Sequence, residues 1–269
     1  MHRDADALRS ESILTNDISN HSQATATRVT AREMANYRYR SCCGGIIAPP
    51  ATGSVVIQTG CDVQETSNGK APACPNDWAS VQTWRKAIRE KLIAERIHVP
   101  ISERRAVQQK IGELLRSNFS ELNRATIGFY WPIKGEIDLR PLLKDFLAAG
   151  ARAALPVVVE KNQPVEFWEW HGETSMSRSI GNIPAPVERK PVQTDVLLIP
   201  LLGFDITGHR LGYGGGYYDR TLAALDANVM TIGVGYDFGR LATIYPQAHD
   251  IPFDAIVTES NCMRFDDRE

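Results

Sequence analysis

The residues best suited to chemistry lie between positions 200 and 220, in the sequence PLLGFDITGHRLGYGGGYYDR. Four of the five residues at 212–216 are glycine, which frees the backbone to turn its N–H groups towards an anion. Arg210 adds a planar cation that suits phosphate or carboxylate. A helix predicted directly after the glycines would add the positive end of its dipole. The segment therefore predicts a loop that binds phosphate or another anion.

This loop matches neither of two common phosphate-binding glycine motifs. The pattern GxxxxGK[ST] requires a lysine that the segment lacks, and in the pattern GxGxxG the last glycine would fall on Tyr217. The alternative is a glycine-rich turn without a ligand. A turn needs one or two glycines, however, and each further glycine costs about 0.5–1 kcal/mol relative to alanine. The excess of glycine therefore favours a ligand site.

Alternating strands and helices are predicted to position this loop. It follows the apolar run DVLLIPLL at 195–202, which is typical of a strand covered on both faces, and it precedes a helix over 219–225. Further strands are predicted at 126–131, 153–159, 165–170, 229–235 and 255–258. The alternation predicts an α/β fold in a single domain: a Rossmann-like, mostly parallel sheet with helices on both faces. In such sheets ligands bind at the carboxyl ends of strands, where this loop lies.

Three more helices are predicted from apolar residues at helical spacing. The first begins with Asp77 as its N-cap and buries the stripe Trp84, Ile88 and Leu92. Its other face is predicted to carry the charged residues Arg85, Lys86, Arg89, Glu90 and Lys91. The second helix is predicted to be capped by Ser102, with the apolar stripe Val107, Ile111, Leu114 and Leu115. The third covers 141–149 and is ended by Gly150.

Composition and charge set the class of the protein. Of 269 residues, 43% are hydrophobic and 23% charged, which is ordinary for a soluble globular protein. Thirty Lys and Arg balance 32 Asp and Glu, so nothing in the bulk charge predicts a nucleic-acid or anionic-membrane partner. No apolar run approaches the roughly 20 residues of a membrane helix, and the first residues resemble no secretory signal. We therefore expect a cytoplasmic protein.

The first 76 residues differ in composition from the rest. They are rich in Ser, Thr, Asn, Ala, Gly and Pro, and we predict that residues 1–76 are a mostly disordered extension of a domain at 77–269. Four of the five cysteines lie in this extension, without a CxxC pair. Their spacing favours reduced thiols over a zinc site.

Residues 200–220 resemble the signature of the 5-formyltetrahydrofolate cyclo-ligases, also called methenyltetrahydrofolate synthetases. That pattern, GxDxxGxRLGxGxGYYDR, is met at every fixed position: Gly203, Asp205, Gly208, Arg210, Leu211, Gly212, Gly214, Gly216, Tyr217, Tyr218, Asp219 and Arg220. Three further segments agree in order and spacing, namely WRKAIR, FYWPIKGEIDLRPLL and HDIPFDAIVTE. The resemblance covers about residues 78–260. It implies ATP-dependent closure of 5-formyltetrahydrofolate to 5,10-methenyltetrahydrofolate, with ATP as co-substrate and Mg²⁺ as cofactor.

The resemblance also implies roles for individual residues. ATP would contact Arg85 and Arg89 on the first helix and the loop residues Arg210, Leu211, Gly212, Tyr213, Gly214, Gly215, Gly216, Tyr217 and Tyr218. Some members of the family carry a lysine in place of Gly215, so the phosphate charge here must rest on the arginines, the backbone and the metal. Arg210 and Tyr217 are expected to be catalytic.

For the other ligands, the resemblance assigns Glu136 to the folate, with Trp131, Tyr213 and Tyr217 lining its site. It assigns Asp219 and Asp250 to the metal. Each assignment has a plainer alternative. Trp131 could be a core residue, Asp219 a helix cap, and Asp250 a carboxylate before a turn.

Two other functions stay open on the sequence alone. A phosphosugar isomerase of similar architecture would need a carboxylate base near the loop but no ATP. A folate- or nucleotide-binding protein without catalysis is the second alternative. ATP-dependent turnover separates all three. We expect a monomer whose partners are 5-formyltetrahydrofolate and ATP.

Overall fold

The computed structural model describes residues 77–226 and 228–265, so the predicted disorder of residues 1–76 lies outside the described residues. Within these ranges there are four α-helices: α1 (Trp78–His98), α2 (Ile101–Asn118), α3 (Arg140–Ala148) and α4 (Tyr217–Ala224). Short 3₁₀ helices cover Ser120–Asn123, Ile180–Asn182 and Asp237–Gly239. No helix in this part of the chain is long and apolar enough to cross a membrane.

In the described chain the main sheet consists of β1 (Thr126–Gly128), β2 (Arg152–Val157), β3 (Glu166–Trp170), β6 (Val196–Pro200), β9 (Met230–Val234), β11 (Ala255–Val257) and β12 (Cys262–Arg264). The order of these seven strands across the sheet is β12-β11-β9-β6-β1-β2-β3. Strands β7 (Gly203–Asp205), β8 (Arg210–Leu211) and β10 (Arg240–Leu241) form a second sheet. A hairpin joins β4 (Met176–Arg178) to β5 (Pro184–Pro186).

The strand order determines where a ligand can bind. Five strands of the main sheet are parallel, and β3 and β12 pair antiparallel at its edges. Numbered along the chain, the parallel strands follow the doubly wound order 2-1-3-4-5, which reverses between β1 and β6. At such a reversal the loops that follow the two strands diverge and leave a crevice. The loop after β1 carries Trp131 and Glu136, and the chain after β6 leads into the glycine loop.

Helices cover both faces of the sheet, as the sequence predicts. One core packs α2 and α3 on one face and includes the fully buried Ile111, Leu143 and Leu198. The other core packs α4 on the opposite face and includes Leu222 and Ile199. These neighbours Leu198 and Ile199 of β6 point to opposite cores, which explains why this strand is apolar at every position.

Helix α1 packs on the smaller sheet through Ile88 and Leu92, which contact Leu202, Leu211 and Ile244. Its predicted cap is confirmed, because Asp77 accepts a hydrogen bond from the N–H of Ser80 at 2.8 Å. The buried stripe differs from the predicted one, however. It consists of Val81, Arg85, Ile88, Leu92 and Arg96. The prediction that Arg85 lies on the solvent face is therefore wrong.

Two predicted boundaries are also wrong. Helix α2 begins at Ile101 after Pro100, and Ser102 lies inside its first turn rather than at the cap. Proline can precede or start a helix because its φ is already close to the helical value. Strand β1 ends at Gly128, although the chain stays buried to Tyr130. Phe129 still donates from its N–H to the carbonyl of Ala154 in β2 at 2.9 Å. Beyond it the chain leaves the strand, and Tyr130 is buried because it enters the core at the end of the sheet.

Gly128→Ala is expected to lower the free energy of unfolding by about 1–3 kcal/mol, the usual range for an overpacked core. A Cβ here would stand 2.4 Å from Leu197 and 2.9 Å from Phe167, which are both buried. Gly172→Ala is the matched control, since a Cβ there meets no heavy atom within 4 Å. Urea unfolding of both variants checks the prediction, and equal stabilities would contradict it.

Candidate active site

A cleft of about 1170 Å³ opens at the carboxyl ends of β1 and β6. It exceeds the roughly 300–1,000 Å³ of a usual small-molecule pocket, which leaves room for two substrates. Every site residue predicted from the sequence lines it: Arg85, Arg89, Trp131, Glu136, Arg210, Leu211, Gly212, Tyr213, Gly214, Gly215, Gly216, Tyr217, Tyr218, Asp219 and Asp250. The structure therefore brings the whole predicted set together.

The glycine loop has the geometry of an anion-binding turn. Gly214 and Gly216 have φ values of +88° and +65°, in the left-handed region that favours glycine. Gly216 is the N-cap of α4, and it has no side chain to occupy the space in front of that helix. Within the described chain the backbone N–H groups of residues 213–215 donate no hydrogen bond. All three residues line the cleft, where an anion could accept from these donors.

Asp205, another residue of the signature, fixes the chain that leads into the glycine loop. It is almost fully buried, and its Oδ1 accepts hydrogen bonds from the N–H and hydroxyl of Thr207 and from the N–H of His209. Its Oδ2 accepts from the N–H of Ile244 at 3.1 Å. Asp205 is thus a structural residue of the motif that orients the chain before Arg210.

Arg89 is the arginine best placed to bind an anion in the cleft. Its Nε donates to the carbonyl of Gly212 at 2.8 Å, which fixes the guanidinium beside the glycine loop. A Cβ at Gly214 would lie 3.2 Å from its Cζ, so loop and guanidinium are in close contact. Both terminal nitrogens have no hydrogen-bond partner among the described residues. Burial and the neighbouring Arg85 lower the pKa of Arg89, and an anion would relieve both effects.

Arg85 is engaged by protein groups on every side. It forms an ion pair with Asp250 and donates to the carbonyls of Ile244 and Tyr245. Burial by itself would raise the pKa of Asp250, but the hydrogen bonds from Arg85 and from the N–H of Gln247 outweigh it and lower the pKa. Arg85 and Asp250 therefore form a stable pair that closes one end of the cleft.

Arg210 is paired in the same way. Its Nη2 lies 2.6 Å from Oδ1 of Asp219, and its guanidinium stacks over Phe253 with 5.0 Å to the ring centroid. Asp219 is the third residue of α4 rather than its cap, so the helix-cap alternative is wrong. Burial lowers the pKa of Arg210, and the carboxylate of Asp219 opposes that effect. The pair ties the start of α4 to the strand that precedes the glycine loop.

Glu136 is a buried carboxylate at the other end of the cleft. Its Oε1 accepts from the hydroxyl of Tyr213 at 3.0 Å, and its Oε2 accepts from the N–H of Ile133 at 2.9 Å. Arg96 lies 3.8 Å away. Burial raises the pKa of Glu136 to about 7, although Arg96, Ile133 and Tyr213 all act to lower it. Glu136 can thus change its charge near neutral pH.

The aromatic residues of the cleft fall into two groups. Tyr218 is partly buried and packs against the core on the α4 face, and burial raises its pKa well above the ordinary value. Tyr217 stacks on Arg220 and Tyr213 is 39% exposed, and both line the cleft. Trp131 is half-buried beneath Arg140, which lies 4.3 Å from its ring centroid. Trp131 lines the cleft, and its ring also packs against the core. It can therefore be both a core residue and part of a ligand site.

Sequence reasoning missed Arg96 and Lys134. Arg96 is 2% exposed, and it donates to the carbonyls of Lys134 and Leu201 and to the hydroxyl of Tyr213. Its position on the apolar stripe of α1 is a signal that could have found it, since a cation there needs buried partners. Lys134 gives no such signal, because a lysine before a glycine is ordinary in an exposed turn.

The residues present fit a magnesium ion that is shared with phosphate. Among the described residues no three His, Cys, Asp or Glu side chains lie together as a metal site. Magnesium usually keeps waters and takes only one or two carboxylates when phosphates complete its shell. Asp219 suits this role, because its Oδ2 accepts no hydrogen bond from the described chain. Asp250 suits it less well, because both of its oxygens accept from Arg85.

Fold and cleft define the class of protein: an α/β enzyme with a glycine-rich loop and a buried carboxylate in one cleft of a doubly wound sheet. The model of the 5-formyltetrahydrofolate cyclo-ligase family matches residues 81–259, and the chain belongs to that family. The 5-formyltetrahydrofolate cyclo-ligase of Mycolicibacterium smegmatis is 31% identical over 181 residues, which cover 64% of this chain and 91% of that protein.

Two solved structures are similar to this chain over most of their own length. The 5,10-methenyltetrahydrofolate synthetase of Aquifex aeolicus superposes with a TM-score of 0.61 and 32% identity, covering 69% of this chain and 94% of that one. The 5,10-methenyltetrahydrofolate synthetase of Mycoplasma pneumoniae superposes with a TM-score of 0.55 and 27% identity, covering 65% of this chain and 98% of that one. The predicted fold and family are confirmed.

Glu136→Gln is expected to gain stability relative to the wild type as the pH rises from 5 to 8. The folded protein keeps a proton on Glu136 up to about pH 7, whereas the unfolded chain loses it near the ordinary value of 4.5. The folded state therefore binds more protons in this window, and its stability falls as the pH rises. Glutamine removes that fall, which is on the order of 2–3 kcal/mol.

Urea unfolding at pH 5 and pH 8 measures the difference between variant and wild type. The exposed Glu95→Gln is the control, and its difference should be the same at both pH values. If Glu136→Gln behaves like this control, Glu136 titrates at its ordinary pKa in the folded protein.

Proposed function

We propose that this protein is an ATP-dependent 5-formyltetrahydrofolate cyclo-ligase that forms 5,10-methenyltetrahydrofolate, ADP and phosphate. The observation that carries the proposal is one cleft that is lined by a glycine loop with a free guanidinium and by a buried carboxylate. The glycine loop and Arg89 supply donors for phosphate. Each carboxylate oxygen of Glu136 accepts one hydrogen bond from the protein and would use its second lone pair for one of a pair of pterin N–H groups. The family membership supports the same reaction.

The reaction requires the protein to align the two substrates and to neutralise the negative charge of the phosphates. The formyl oxygen of the folate attacks the γ-phosphorus of ATP, and the bond to the β-phosphate oxygen breaks, so that ADP leaves with the electron pair. N10 then attacks the formyl carbon, and phosphate leaves with the former formyl oxygen. N10 gives up its proton as the methenyl bridge forms. Because no protein nucleophile takes part, positioning and electrostatics provide the catalysis.

The residues of the cleft divide this work. Arg89 and the free N–H groups of residues 213–215 would bind the nucleotide phosphates. Arg210 would hold Asp219 and the start of α4 in position beside them. Its direct contact with ATP, like a catalytic role for Tyr217, stays a prediction. Arg85, through its pair with Asp250, would fix the neighbouring wall of the cleft.

Glu136 would orient the pterin, with Tyr213 and Trp131 beside it. Tyr213 belongs to the glycine loop and touches Glu136, so it stands where the formyl group must meet the γ-phosphate. Mg²⁺ bound to Asp219, with Asp250 nearby, would neutralise phosphate oxygens. We further propose a monomer that works in the cytoplasm.

The two alternatives have less support. A phosphosugar isomerase binds one substrate and would not need a cleft with room for two. The family membership also argues against it. A binding protein without catalysis would not require an open carboxylate oxygen on Asp219 beside the anion loop.

Absorbance of methenyltetrahydrofolate, formed from 5-formyltetrahydrofolate with ATP and Mg²⁺, tests the proposal directly. Arg89→Met should raise the KM for ATP about tenfold to a hundredfold, because a charge-assisted hydrogen bond contributes roughly 1.5–3 kcal/mol. Lys91→Met, an exposed change on the same helix, should leave it unaltered. Wild-type protein that forms no product, or forms it equally without ATP, would refute the proposed function.

Asp219→Asn should raise the Mg²⁺ concentration needed for half-maximal turnover and lower the maximal rate. Asparagine keeps an oxygen that can accept from Arg210, but it removes the charge that would attract the ion. Some loss of melting temperature should accompany it, because the buried Arg210 loses its counter-charge. Turnover is measured against Mg²⁺ at saturating ATP and folate. An unchanged Mg²⁺ curve would limit Asp219 to pairing with Arg210.

A further inference from the structure

Lys134 occupies a strained backbone conformation at the edge of the cleft. Its φ is +45°, in the left-handed region, and Gly135 follows with +78°. A lysine has no intrinsic preference for this region, and such strain persists only where surrounding contacts hold it. The conformation turns an exposed lysine towards the cleft, which it helps to line.

Several buried groups hold this turn in place. Arg96 donates from Nε to the carbonyl of Lys134 at 2.9 Å, and the hydroxyl of Tyr236 donates to the carbonyl of Gly135 at 3.0 Å. The N–H of Ile133 donates to Glu136, which closes the turn from the other side. A Cβ at Gly135 would stand 2.8 Å from the carbonyl oxygen of Arg96, so only glycine fits there. The backbone of Lys134 is therefore fixed while its side chain stays free.

The charges of the cleft show why a free lysine matters. Five cations line the cleft: Arg85, Arg89, Lys134, Arg210 and Arg220. Arg85 and Arg210 are neutralised by aspartates, and Arg220 donates to the carbonyl of Gly215. Among the described residues Lys134 has no ion pair or hydrogen bond to its ammonium group, which lies 5.3 Å from the centroid of the Tyr213 ring. Arg220 keeps its charge beside Tyr217, and Arg89 and Lys134 are the other two cations of the cleft that no carboxylate of the described chain neutralises.

Arg89 and Lys134 contact different residues of the glycine loop. Arg89 contacts Gly212 and Gly214, on the side of α1. Lys134 lies over Tyr213, whose hydroxyl reaches Glu136. Lys134 therefore lies beside the residue that joins the glycine loop to Glu136.

We infer that Lys134 is a further catalytic residue, whose ammonium group binds the γ-phosphoryl oxygens as the phosphoryl group moves from ADP to the formyl oxygen. This inference rests on the proposed function. In this step the β–γ bridging bond of ATP breaks and a bond from the formyl oxygen to phosphorus forms. Negative charge on the equatorial oxygens then lies between the two substrates, where Arg89 is on the nucleotide side. A cation on the folate side stabilises that charge in the transition state.

A different role for Lys134 is binding of the substrate's glutamate carboxylates. That role would act on folate binding and would leave the phosphoryl transfer untouched. The two roles are separable, since one changes kcat and the other changes the KM for folate.

The test compares Lys134→Met and Lys134→Arg with Lys161→Met, an exposed lysine in a turn outside the cleft. Lys134→Met should lower kcat about tenfold to a hundredfold, with the KM for 5-formyltetrahydrofolate within about twofold of wild type. Lys134→Arg should recover part of the loss, and Lys161→Met should match the wild type. Circular dichroism and melting temperature confirm that the variants fold.

A binding measurement gives a second readout. Lys134→Met should weaken binding of ADP with aluminium fluoride, a mimic of the phosphoryl group in flight, about tenfold or more, and leave binding of ADP alone unchanged. An unchanged kcat, or a rise confined to the KM for folate, would overturn the inference while the wild type stays active. A wild type without ATP-dependent turnover would instead refute the proposed function.

Discussion

The buried guanidinium of Arg96 joins the three segments that form the cleft. It donates to Lys134 in the loop after β1, to Leu201 after β6 and to Tyr213 in the glycine loop. Other contacts also link these segments: the N–H of Leu202 donates to the carbonyl of Leu211, and the hydroxyl of Tyr213 donates to Glu136. A buried cation must satisfy its donors, so the backbone carbonyls and the tyrosine are held where the guanidinium requires them. Arg96 is the side chain that contacts all three segments at once.

The arginines of the cleft thus have two distinct uses. Arg85, Arg96 and Arg210 are almost fully buried, and each is surrounded by carboxylates or carbonyls. They act as structural connections between distant parts of the chain. Arg89 keeps its terminal nitrogens free of protein partners and can serve a ligand. Position on the helix face decides the difference, because Arg85 and Arg96 lie on the buried stripe of α1 and Arg89 lies beside it.

Much of this architecture could be predicted from the sequence. The glycine loop, the strand before it and the helix after it follow from local composition, and the family pattern gives the set of residues that meet in the cleft. The partner of each charged side chain could not be predicted. Arg85 pairs with Asp250, which lies 165 positions further on, and no local pattern links the two. The predicted end of the first strand, at residue 131, was wrong because apolar residues can be buried without pairing as a strand.

Tyr213 has a consequence for how the two substrates affect one another. Its backbone belongs to the glycine loop, and its hydroxyl lies between Arg96 and Glu136. Under the proposed function one ring would therefore touch both ligand sites, and a ligand that shifts it at one site would change the other. By thermodynamic linkage that influence would be reciprocal, so the affinity for either substrate would depend on the occupancy of the other site. Tyr213 would then provide heterotropic cooperativity within a single subunit.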